Sequence, residues 1–121
     1  MNEQTFVKLV ESILTKNVLI KDCGASKEDL MRYKEVKPIF SDSVRYRTLK
    51  TQIPGLILHF INLIFPDGKH KNFLYFLDQE TIEILAYLQT EDTVYFNKIF
   101  KRCEEQKQDH IDNCINNFIY S

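Results

Sequence analysis

The stretch IPGLILHFINLIFPDGKHKNFLYFLD, residues 53–78, decides the fold. Its first half, residues 53–65, is almost wholly apolar, and periodicity alone does not separate a buried strand from a buried helix in such a run. Its β-branched and aromatic residues, and the turn that follows, favour a strand, with a buried helix as the alternative. Pro66-Asp67-Gly68-Lys69 is that turn, because proline presets φ at about −65° and glycine enters positive φ freely. Beyond it Phe73, Tyr75 and Leu77 alternate with Leu74 and Phe76 as far as Asp78, so the segment reads as a β-hairpin with Lys69, His70 and Lys71 at its tip.

Working outward, Val44, Tyr46 and Thr48 alternate with Arg45 and Arg47, which predicts a strand with one packed and one wet face. After the hairpin, residues 81–88 predict a further strand of a meander, with a helix as the alternative because of their alanine and leucines. On the N-terminal side, Phe6, Val10, Ile13 and Leu14 recur at helical spacing and predict an amphipathic helix over 3–16. A second helix begins at Ser26, a capping residue with Asp29 three positions on, and is expected to end before Pro38. Thr90, Glu91 and Asp92 open a last helix, carried to the end by Phe96, Ile99, Phe100, Cys103, Ile111, Cys114, Ile115 and Phe118, with a bend or break expected in the polar stretch 104–109. The order α-α-β-β-β-β-α implies one α+β domain over residues 1–121: a four-stranded antiparallel meander with helices packed on one face.

A chain of 121 residues buries about two-thirds of its unfolded surface, enough for a core without metal or disulfide. Sixteen basic against seventeen acidic residues leave a net charge of −1, which lacks the footprint of a general nucleic-acid binder. The opening residues carry Glu3 and Glu11 among apolar positions, unlike a signal peptide, and no run approaches a membrane span. Three cysteines without CxxC spacing fit reduced thiols, so a cytoplasmic location is expected.

No catalytic residue, cofactor or metal is expected. Cys103, His110 and Cys114 stand at i, i+7 and i+11, but a structural zinc ion usually takes four ligands in paired short spacings. Cys23, beside Gly24, is the cysteine expected to be exposed, yet nothing local supplies it with a base. Glycine-rich phosphate loops and the common hydrolase and metalloprotease signatures are missing from the sequence. Two charged surfaces remain as protein-binding candidates. Arg45, Arg47, Lys69, His70 and Lys71 form a basic patch for an acidic partner if they converge. Glu104, Glu105, Asp109 and Asp112 belong to a segment, residues 91–121, with six acids against four bases, and suit a basic partner such as a nuclease.

The helical opening, VRYRTLK at residues 44–50, the hairpin sequence and the acidic last helix together resemble small bacterial immunity proteins that neutralise a toxin in interbacterial competition. That resemblance implies a non-enzymatic inhibitor that occludes one toxin domain by tight binding. The order of elements is also similar to cystatin-like and nuclear-transport-factor-like folds, which imply instead a ligand pocket or minor enzymatic site between helix and sheet, here near His59, Tyr46 and Tyr75. Self-association into a homo-oligomer through an open sheet edge or the aromatic C-terminal face is the third expectation.

Overall fold

The structure is a computed structural model and describes residues 1–22 and 24–121; the expectation made for Cys23 lies outside the described residues. Helix α1, Glu3–Thr15, is capped by Asn2, whose side chain accepts from the Thr5 backbone N–H at 2.8 Å. It ends in a Schellman motif: Asn17 takes φ 49°, its N–H bonds Leu14 O at 3.1 Å, and Val18 N–H reaches Ile13 O at 3.0 Å. The chain then enters β1, Ile20–Lys21, a two-residue edge strand too short to show a period in sequence. Helix α2, Lys27–Met31, starts with a capping box between Ser26 and Asp29. It is much shorter than expected, giving way to turns and a 3-10 turn at Lys37–Ile39 that holds Pro38 near its start.

The hairpin expectation holds. Strand β2, Arg45–Ile53, pairs with β3, Leu56–Ile64; β3 pairs with β4, His70–Asp78; and β4 pairs with β5, Ile84–Thr90. Within the run over 53–65, Ile53 closes β2 and Leu56–Ile64 form β3. Pro54 and Gly55 inside it make the two-residue β2–β3 turn, with Gly55 at φ 84°. With β1 on β2, the sheet is antiparallel and five-stranded in the order β1-β2-β3-β4-β5, against the expected four. Helix α3, Val94–Ile119, is continuous, without the expected break, and begins later than Thr90 suggested; Asp92 Oδ1 accepts from Val94 N–H at 2.9 Å.

Side chains alternate across the sheet, and both faces are covered. Leu49, Leu58, Phe60, Leu74 and Phe76 pack against Phe6, Val10 and Ile13 of α1 and Phe96, Ile99 and Cys103 of α3. Ile61, Leu63, Phe73, Tyr75 and Leu77 pack against Leu30, Tyr33 and Val36 on the other side. Helices on one face only is thus corrected: α2 and its turns occupy the second face, because β3 and β4 are apolar at consecutive positions and so have two faces to bury. Among the described residues, no helix is long and apolar enough to cross a membrane.

Candidate functional site

The hairpin end of the sheet brings part of the basic set together. Arg47 pairs across β2–β3 with Asn62, and Asn62 across β3–β4 with Asn72, so the three form one transverse row on the α3 side. Arg47 Nε donates to Asn62 Oδ1 and an Arg47 terminal nitrogen to Asn97 Oδ1, both at 3.0 Å, and the guanidinium lies 4.2 Å from the Phe100 ring centre. Asn62 Nδ2 bonds Asn72 Oδ1 and reaches His70 Nδ1 at 3.2 Å, while Asn72 Nδ2 donates to Asp92 O at 3.4 Å. Arg45 and His70 lie on the same face, one row nearer the hairpin tip. Burial lowers the Arg47 pKa, and two of its donors bond amide oxygens of the sheet and of α3, which makes it a brace between sheet and helix more than an offered charge.

The rest of the basic set disperses. His70 and Lys71 are not at the tip but open β4, and Lys71 pairs with Leu63 on the α2 side, 6.0 Å over the Phe65 ring. Lys69 alone sits in the turn, its N–H donating to Asp67 Oδ1 at 3.0 Å. An open hollow beside the hairpin, about 750 Å³, sets Asp67 and Glu91 against Lys69 and Lys71, so its charge is mixed. The single basic patch expected from sequence does not form because alternation along β4 sends His70 and Lys71 to opposite faces.

The acidic set behaves differently. Helix α3 touches the rest of the molecule as far as Lys107: Cys103 Sγ meets Ile20 O at 3.5 Å, the Gln106 side chain bonds Ile20 N–H and Val18 O, and Lys107 lies 3.6 Å from Asp22. Beyond it every residue is exposed. The remaining turns carry the helix about 18 Å past the β1 edge. Asp109 and Asp112 line one side of this free half, and Glu105, four residues before Asp109, lies on the same side where the helix leaves the sheet. Glu104 is nearer the sheet and pairs with Lys107 at 3.3 Å.

The apolar residues expected at helical spacing along the whole of α3 divide into two groups. Phe96, Ile99 and Cys103 are buried, but Ile111 is 49 % exposed, Ile115 50 % and Phe118 83 %. The eight-residue step from Cys103 to Ile111, at about 100° per residue, turns the stripe about 80° off the core-facing side. That slip of phase is the signal in the sequence that would have found it. Cys114 Sγ, on the same stripe, lies 3.7 Å from His110 Nε2, and the described residues hold no group of three or more ligands able to bind a metal.

The place considered for a ligand is filled. His59 is 2 % exposed, and Tyr33 from the turn after α2 hydrogen-bonds its Nδ1 at 2.7 Å while stacking on Tyr75 with ring centres 4.0 Å apart. The Tyr75 hydroxyl donates to Glu35 at 2.9 Å. Tyr46 points to the same side but packs on Phe40. Burial pushes Tyr33 up to about 12 and His59 down to about 3, so both are neutral near pH 7. No protein-family model matches the chain, and neither a curated protein nor a solved structure is significantly similar to it.

Proposed function

We propose that the chain is a non-enzymatic binding protein of the immunity type, which neutralises a basic toxin domain by docking the free half of α3 against it. The observation that supports this reading is the exposed stripe Ile111, Ile115 and Phe118, running beside Asp109 and Asp112 on a helix that has left its own core. An amphipathic helix presenting anchors at i, i+4 and i+7 is a recurrent way of entering a groove. Four acids against one lysine between residues 104 and 121 select a basic groove and speed the encounter. Occlusion needs no catalytic group, and the cytoplasm is where such an inhibitor would meet its toxin.

The test is co-purification with the product of the gene adjacent to its own. A stoichiometric complex that removes the neighbour's toxicity is expected. Ile115→Ala with Phe118→Ala should weaken it at least about 100-fold, since central apolar anchors carry about 2 kcal/mol or more each. Asp109→Lys with Asp112→Lys should lower the association rate and its salt dependence. A complex indifferent to all four substitutions, or no complex and no protection, would overturn the proposal.

A further inference from the structure

We propose that β5 is a strand-addition site for a partner's extended segment that is apolar in its middle and carries Lys or Arg at its ends. It is independent of the α3 surface, which lies beyond β1 at the opposite edge of the sheet.

Strand β5 is an outer strand, hydrogen-bonded to β4 on one side only. An edge of this kind presents a row of backbone donors and acceptors, and proteins usually blunt it with charge or proline. The sequence of β5, ILAYLQT, contains neither. The ladder is irregular opposite Phe76 and Leu77, but residues 86–90 keep regular register, enough for about five residues of an added strand.

The side chains along this edge are apolar and uncovered. Leu85 is 54 % exposed and Tyr87 48 %, with Ile84 and Ile82 close behind. Tyr87 stacks beside Tyr75 with ring centres 5.7 Å apart, and Ile84 pairs with Leu77, so the patch continues the α2-side core outward to where α2 no longer covers it. Ile82 holds φ 62°, a conformation costly for a β-branched residue, in a turn where glycine or asparagine would be easier. An exposed apolar side chain kept on a strained backbone beside an open edge marks a contact surface.

Charge decides the occupant. Between Lys71 and Lys98 the chain has Asp78, Glu80, Glu83, Glu91 and Asp92 and not one Lys, Arg or His. These acids sit before and after β5, so an antiparallel pairing of two copies would set the Glu83 end of one beside the Glu91 and Asp92 end of the other, twice over. Like charges at both ends disfavour a second copy and favour a strand with basic ends.

The probe is a peptide of about eight residues, alternating valine and threonine with lysine at both ends, compared with its glutamate-ended counterpart. Backbone amide exchange and shifts of residues 84–90 are followed by NMR on the full chain. The lysine peptide should slow exchange along the β5 edge at least about tenfold, the glutamate peptide should bind at least about tenfold more weakly, and Leu85→Lys with Tyr87→Lys should abolish the effect while circular dichroism stays unchanged. Residues 84–90 left unmoved by millimolar lysine peptide would overturn the proposal. So would equal binding of both peptides, or a dimer of the chain alone that Tyr87→Lys dissociates. Ile115→Ala with Phe118→Ala should leave peptide binding intact, which separates this site from the α3 surface.

Discussion

His59 couples the fold to pH through a single ring. Its pKa is lowered from 6.5 to about 3, by burial first and then by Lys50 and Arg32, so the unfolded chain binds a proton that the folded chain does not. The stabilisation is therefore whole above pH 6.5 and is lost as pH falls towards 3, at up to about 1.4 kcal/mol per pH unit. Asp29 and Asp78 have lowered pKa values because backbone N–H groups bond their carboxylates, and their contribution fades only below about pH 4. Urea unfolding between pH 6.5 and 4.5 should thus show a slope that His59→Gln flattens; parallel slopes would refute the assignment. Ile82 offers the opposite sign. Replacing it by glycine, which tolerates φ 62°, should raise stability by about 1 kcal/mol, measurable as an increased urea midpoint. Asn62, fully buried, binds Arg47, His70 and Asn72 at once, so Asn62→Leu should cost about 1 to 3 kcal/mol by leaving those partners unsatisfied.

At the scale of elements, α3 is two helices in one. Residues up to Lys107 are held by the sheet, α1 and the segments flanking β1, whereas among the described residues 108–119 have only their own backbone bonds and exposed pairs such as Gln108 with Asp112. A free helical end of this length is marginal in water. Amide exchange should be at least about 100-fold faster beyond residue 109 than at Ile99, and removing residues 110–121 should change unfolding stability by less than about 0.5 kcal/mol. A large loss of stability would mean that the free half has a partner within its own chain. The β3–β4 hairpin was legible because Pro66, Asp67 and Gly68 have only a few backbone options. The stripe on α3 was legible as helix and its aromatic end as a candidate contact face, but not where the core would stop covering it, since spacing shows which residues share a side, not what the side faces.

The whole molecule is one sheet shared by two apolar clusters, and this sets its cooperativity. Phe60 belongs to the α1 and α3 side and Leu63 to the α2 side, three residues apart on the same central strand. Phe60→Ala should cost about 3 to 5 kcal/mol and Leu63→Ala about 2 to 5 kcal/mol. Both should leave a single transition with coincident near- and far-ultraviolet signals, because neither cluster can open without breaking β3. Separate transitions for the two variants would show the faces to be independent.

The amino-acid order by itself determined the α+β class, the meander and the starts of the first two helices, since proline, glycine, capping residues and alternation act through neighbouring atoms. Tertiary structure alone decided that a fifth strand joins through Ile20, that α2 crosses to the second face, and that Arg47 is tied down while Ile111, Ile115 and Phe118 are left in water. Those outcomes depend on which surfaces meet at long range, and burial is a property of the assembled pair of surfaces rather than of either segment.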